Sequence, residues 1–207
     1  PWRTSKNPYN IWLSEIILQQ TQIKQGLPYY EAFLENFPSV QALAKASETS
    51  VLNLWQGLGY YSRARNLHYT AKHITENLNG EFPKDYNSLL GLKGVGDYTA
   101  SAIASICYDE AVAVVDGNVY RVLARYFGID TPINSTEGTK QFKTLAQSLL
   151  PLSNFGDYNQ AIMEFGSQQC KPKSPNCELC PLRSSCNAYA TGFVKTLPVK
   201  LKKTKVT

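Results

Sequence analysis

The 207-residue chain has no apolar run approaching the roughly 18 residues that a membrane-spanning helix needs. It opens on the polar stretch Pro1-Trp2-Arg3-Thr4-Ser5-Lys6, which has none of the apolar core of a secretory leader. Sustained alternation of apolar and polar residues is missing too, so no strand of any length is expected and the class is all-α. Acidic residues are in the minority, 16 against 21 Lys and Arg, for a net charge of +5. That balance permits a polyanionic partner without requiring one. Cysteines number only five, and four of them fall within 17 residues near the C-terminus. A secreted disulfide framework would spread them, whereas tight clustering favours a metal or iron–sulfur site. The length and the 43% hydrophobic content suit one large or two small domains with a real core.

The chain is organised around Leu92-Lys93-Gly94-Val95-Gly96. Two glycines one residue apart let the backbone turn tightly and approach a ligand closely. An apolar segment with a helical look, Tyr86 to Leu92, precedes the turn, and a helix from Tyr98 to Tyr108 leaves it. Free N–H groups at that helix start would suit an anion. A helical hairpin that only reverses the chain would look the same.

Asn7-Pro8 is a helix start, with Asn as cap and Pro as first residue, for a helix over Tyr9–Gln22. Leu13, Ile16 and Ile17 form its apolar stripe, flanked by Ile11 and Leu18. Glu15 shares a face with Ile11, Trp12, Leu18 and Gln19. A partly desolvated carboxyl there would have a raised pKa, as a general acid needs; a surface glutamate at the stripe's edge is the plainer alternative. Further helices are expected over Tyr29–Asn36, Val40–Ala46, Glu48–Leu54 and Ala64–Asn77, with Ser39 and Ser47 as caps. Gly57 to Arg65 joins a flexible loop, two tyrosines and two arginines, either a nucleic-acid contact or a packed helix start.

Asp116 is expected at the N-terminus of a helix over Val119–Phe127, where N–H groups hold a carboxylate ionised. Most such residues are only caps. Paired with a protonated Glu15, however, Asp116 would complete the set of carboxyls that cleaves glycosidic bonds. Helices over Thr136–Leu150 and Tyr158–Gln169 follow. Cys170, Cys177, Cys180 and Cys186, with gaps of six, two and five, lie in a loop stiffened by Pro172, Pro175 and Pro181. Ligand type alone leaves zinc and iron–sulfur open. Cys107, on the hairpin helix, reads as core packing. Lys195 to Thr207, with five lysines and no acid, reads as a solvated linker.

The hairpin, an aspartate twenty residues past its last glycine, and the six-two-five cysteine loop resemble the helix–hairpin–helix DNA glycosylases of the endonuclease III superfamily. Within it, Pro1-Trp2-Arg3, Trp12-Leu13-Ser14-Glu15, Leu18 to Gln22, Gly57 to Tyr61 and Val115-Asp116-Gly117-Asn118 are similar to the MutY-type adenine glycosylases, a likeness running from Pro1 to about Tyr189. The resemblance implies a two-lobed fold with a DNA groove. A six-helix barrel with the hairpin would span 23–128. An iron–sulfur domain would join 1–22 to 129–190, leaving 191–207 as a tail. It implies a [4Fe-4S] cluster on the four cysteines. It also implies that Glu15 protonates N7 of a flipped adenine and that Asp116 stabilises the sugar cation, in the motif shared with Asn118. Tyr98 would stand beside Asp116, Arg3 and Gln160 would line the adenine pocket, and Gln20 and Tyr60 would enter the base stack. Gly94 and Gly96 would hold a phosphate.

Two residues depart from related patterns. Bifunctional members carry a lysine where Tyr98 stands, so a monofunctional enzyme with little lyase activity is expected. Lys93 replaces the usual proline of the hairpin, which would stiffen the turn less and add a phosphate contact. Full-length relatives are implied to continue into a domain that reads 8-oxoguanine, so a catalytic fragment with weakened discrimination is expected. The implied partner is double-stranded DNA with A opposite 8-oxoguanine or G, met by a monomer in a bacterial cytoplasm or a eukaryotic nucleus. A thymine-mismatch glycosylase and a non-catalytic iron–sulfur DNA-binding module are the alternatives.

Overall fold

The computed structural model describes residues 5–202. Among the described residues there are eleven α-helices and no strand. They are α1 (Pro8–Leu18), α2 (Ile23–Asn36), α3 (Val40–Lys45), α4 (Glu48–Leu54), α5 (Ser62–Asn77), α6 (Tyr86–Leu90), α7 (Asp97–Tyr108), α8 (Gly117–Phe127), α9 (Thr136–Ser148), α10 (Phe155–Gln168) and α11 (Asn187–Thr191). None of the described helices is long and apolar enough to cross a membrane. The chain divides into two compact units, cut between Glu110 and Ala111. That cut groups α1 with α2–α7. The physical basis is packing: α1 lies against α2, α5 and α7 and buries Trp12, Leu13, Ile16 and Ile17 there.

In the first unit, Asn7 caps α1, its Oδ1 accepting from the N–H groups of Tyr9 (2.9 Å) and Asn10 (3.3 Å). The helix stops at Leu18, four residues before the expected end, because Gln20 takes the left-handed conformation at φ +57°. Conversely, α2 begins at Ile23 rather than at Tyr29. Pro28 lies inside it, at the cost of one helical hydrogen bond. Packing compensates: Gly26 sits so close to α1 that a Cβ would stand 2.7 Å from Leu18 Cδ2. Ser39 and Ser47 cap α3 and α4 as the sequence indicates. Two fully buried tryptophans centre the core, Trp12 edge-on to Phe82 at 5.4 Å and Trp55 perpendicular to Phe33 at 5.8 Å.

In the second unit, α8 packs on α9, α10 and α11. Val119, Leu123 and Ala124 meet Phe142 and Ala146 of α9 and Ala188 of α11. The lysine-rich stretch after Lys195 is a correction: it is folded as far as Leu201. Leu197 is buried, Ile133 N donates to Val199 O at 3.0 Å, and Leu201 N donates to Asn134 Oδ1 at 2.8 Å. Lys195, Lys200 and Lys202 are exposed while Leu197 is buried and Val199 half-buried, so the charge run masked an apolar side.

His68 of α5 is buried and its Nε2–H donates to Ala46 O at 3.0 Å. Burial, then Lys72, push its pKa below the usual 6.5. The unfolded chain therefore takes up a proton that the folded one refuses, and stability is full above that pH and declines as pH falls through it. Urea unfolding should show a smaller free energy at about pH 5 than at about pH 7. His68→Asn should flatten that part of the profile; an unchanged slope would contradict the assignment.

Candidate functional site

Asp116 is the N-cap of α8. Its Oδ1 accepts from the N–H groups of Asn118 and Val119, both at 2.8 Å, and its Oδ2 accepts from Asn118 Nδ2 at 2.7 Å. Three donors thus hold one half-buried carboxylate in a single orientation at the positive end of a helix. Asn118 is itself oriented, because Arg121 Nη2 donates to its Oδ1 at 2.8 Å, which turns the amide NH2 toward Asp116. Arg121 also donates to Gly117 O (3.2 Å), Gly166 O (2.6 Å) and, through Nε, Cys170 O (2.6 Å). Burial pulls its pKa down, and Cys170, followed by Asp116, offsets part of that. Gly166 of α10 lies directly against Asn118, with no room for a Cβ between them. Asn159, also buried on α10, fixes the segment before Asp116. Its Oδ1 accepts from Val114 N at 3.1 Å and its Nδ2 donates to Val112 O at 2.9 Å. Gln160 is the next residue, half-buried.

Arg121 and Arg125, one turn apart on α8, went unnoticed in the sequence, although arginines at i and i+4 beside Val122 and Leu123 were a visible signal. Arg125 is 3% exposed and donates to Leu197 O (3.1 Å), Lys171 O (2.7 Å) and Cys170 Sγ (3.4 Å). Cys170, Cys177, Cys180 and Cys186 line one small cavity together with Arg125 and Arg183. Burial and the three other thiols push the Cys177 pKa up, with Arg125 opposing. Four adjoining thiols resist ionising together unless a metal group binds them, and two guanidiniums suit the negative charge of a thiolate-bound cluster. Among the described residues no three His, Cys, Asp or Glu side chains form a set for a single ion. An iron–sulfur cluster instead spreads its thiolates over several irons.

In the first unit, Gly94 takes φ +81° and has Asn66 Cβ 2.8 Å from where its own Cβ would be, so only glycine fits. Thr70 Oγ1 donates to Lys93 O at 2.7 Å and fixes the hairpin on α5. Gly96, exposed, is the N-cap of α7. Lys93 Nζ lies 4.4 Å over the Tyr69 ring. Tyr98, half-buried, is in the first turn of α7. Glu15 is half-buried on α1 among buried neighbours. Cys107 is only half-buried, and burial, then nearby Glu15, push its thiol up to about 12, so it stays protonated and unreactive at neutral pH. Gln20 and Tyr60 are exposed, both with left-handed backbones. Of the two arginines in the stretch read as either a nucleic-acid contact or a packed helix start, Arg65 pairs with Glu48 at 3.3 Å and Arg63 donates inward to carbonyls. Arg3 lies outside the described residues.

Residues 13–150 match the family model described as HhH-GPD superfamily base excision DNA repair protein. Residues 170–186 match the iron–sulfur binding domain of endonuclease III, so the cofactor is a [4Fe-4S] cluster and the zinc alternative is set aside. The chain is 41% identical over 99% of its length to an adenine DNA glycosylase of Buchnera aphidicola, of which it covers 57%. It is 44% identical over 91% of its length to the human adenine DNA glycosylase, of which it covers 36%. It therefore spans less than two thirds of the curated relatives it matches. A thermostable thymine-DNA glycosylase structure superposes with a TM-score of 0.84 at 29% identity, covering 92% of this chain and 88% of that one. An endonuclease III–DNA complex, at 23% identity and a TM-score of 0.77 over 90% and 86% of the two chains, supports the fold.

A methyl at position 166 would stand 2.7 Å from Asn118 Cβ and 2.9 Å from its carbonyl oxygen, so α10 would have to withdraw from α8. Gly166→Ala is expected to cost about 1–3 kcal/mol. Urea denaturation checks this, and an unchanged midpoint would refute the close approach.

Proposed function

The chain belongs to the HhH-GPD superfamily of base excision DNA repair proteins, and from that membership we propose that it is a monofunctional glycosylase removing adenine mispaired with 8-oxoguanine or guanine in double-stranded DNA. The observation that carries the reading is the identity of 41% and 44% to adenine DNA glycosylases over nearly the whole chain. The thymine-mismatch alternative is favoured by the thymine-DNA glycosylase structure, but at a lower identity of 29%. A non-catalytic iron–sulfur module would need Asp116 only as a helix cap, for which the third donor from Asn118 is superfluous.

In this reading Glu15, as the acid, gives its proton to N7 of an extruded adenine. The C1′–N9 bond breaks and its electron pair leaves with the base. Asp116 stabilises the positive charge that develops on the sugar, its lone pairs directed by Asn118 and by the α8 amides. Water then adds to C1′ and surrenders a proton to the Glu15 carboxylate, restoring the acid and leaving an abasic site. Tyr98 lacks the amine that would form a Schiff base with the sugar, so the strand stays intact. Arg3 and Gln160 are assigned to the adenine pocket, Gln20 and Tyr60 to the stack around the lesion, and the Gly94 and Gly96 amides to a phosphate. The cluster would order the loop 170–186, and the lobes 23–128 and 1–22 plus 129–190 would be the DNA-binding halves. The setting proposed is the DNA-containing compartment, nucleoid or nucleus, with the protein acting as a monomer.

Single-turnover release of adenine from a duplex with one A opposite 8-oxoguanine tests the reading. Wild type should release the base, with no strand break until alkali is added. Glu15→Gln and Asp116→Asn should each lose about 100- to 10,000-fold, the range for a lost general acid or charge stabiliser. Release from T:G but from neither A:8-oxoguanine nor A:G would transfer the assignment to thymine.

A further inference from the structure

Arg63, the second residue of α5, divides its guanidinium between two loops. Nη1 donates to the carbonyls of Ile16 (3.1 Å), Ile17 (3.3 Å) and Gln19 (2.6 Å), at the C-terminal end of α1. Nη2 donates to Leu58 O (3.1 Å) and Gly59 O (3.5 Å) in the loop before α5. The residue following each anchored segment is Gln20 in one case and Tyr60 in the other. Both are exposed and both hold left-handed backbones, φ +57° and +45°, which non-glycine residues keep only where the surroundings enforce it. The Arg63 guanidinium carbon lies 5.1 Å from the Trp55 ring centroid and 5.7 Å from that of Tyr60. Trp55 is fully buried, and its Nε1 donates to Gly59 O at 2.9 Å. The clamp is thus seated on the core.

A helix cap alone would account for the α1 bonds, since the last carbonyls of a helix have no partner of their own and α1 carries no basic residue in its last turn. It would not account for the second NH2 group reaching the other loop. We propose that Arg63 is a positioning residue for DNA recognition, tying the Gln20 and Tyr60 segments into one rigid unit so that the two side chains enter the base stack together. This rests on the glycosylase reading above, which assigns those two side chains to the stack. The gain is entropic: two loops ordered in advance pay less on binding than two ordered independently.

Arg63→Lys separates the two roles. An ammonium can still cap α1, but it has no planar fork to span both loops. Hydrogen exchange of the free protein, which needs no substrate, should show protection falling together in 18–22 and 57–61 and unchanged in α7. Loosening of one loop alone overturns the proposal. In binding of a duplex with a non-cleavable adenine analogue opposite 8-oxoguanine, Arg63→Lys and Tyr60→Ala should each lower the preference over paired DNA by about tenfold, the worth of one base–aromatic stack. Arg63→Lys added to the Gln20→Ala/Tyr60→Ala pair should bring no further loss, because Arg63 acts through those two side chains; a further loss of similar size overturns the proposal. If wild type shows no preference for the mispair, the glycosylase reading fails while the exchange result still decides the coupling. If Arg63→Lys does not fold, Arg63→Gln takes its place. Failure of both to fold makes Arg63 a fold determinant and overturns the proposal.

Discussion

Carbonyl groups that need a hydrogen-bond donor shape this protein more than any ion pair does. Helices end with carbonyls that no amide of their own can reach, and a loop buried against them adds more. Arg63, Arg121 and Arg125 each carry several donors in a planar fork and give them to main-chain oxygens far away in sequence. A buried guanidinium is costly unless its hydrogens are matched, and converging carbonyls match those of the NH2 groups, although the buried Arg63 Nε has no partner. The same bonds that stabilise the fold thereby hold the loops and helix ends on which the candidate functional side chains sit.

The second unit applies this constraint to chemistry. Asp116 caps α8 and also accepts from Asn118, whose amide is turned by Arg121. Arg121 in turn bonds Cys170 O, the first cysteine of the cluster loop. The arrangement requires α10 to come within contact of the α8 start, and Gly166 makes that approach possible. Iron–sulfur loop, helix packing and carboxylate orientation therefore share one set of bonds. A disturbance at any of them reaches the others through atoms in contact.

The first unit uses the same device with less burial. Its hairpin is held by Thr70 at Lys93 and by the fit of Gly94 against Asn66. Gln20 and Tyr60, both exposed and left-handed, stand next to segments that Arg63 holds. Rigidity is placed next to exposure, as the proposed insertion of these side chains into a base stack would require.

Much was legible in the residues alone, wherever the controlling interactions are local. The caps at Asn7, Ser39, Ser47 and Asp116, the helical class and the hairpin follow from neighbours within four positions. The cysteine spacing identified a metal-type loop, and the full motif set pointed to the superfamily. Tertiary structure alone decided the rest. α1 stops at Leu18 and α2 runs through Pro28 because packing between the two outweighs propensity. The stretch after Lys195 folds because Leu197 has a core to enter. Arg63, Arg121 and Arg125 became inward clamps because most of their carbonyl partners lie dozens of residues away, and no pattern of side chains records where the chain will bring its own backbone.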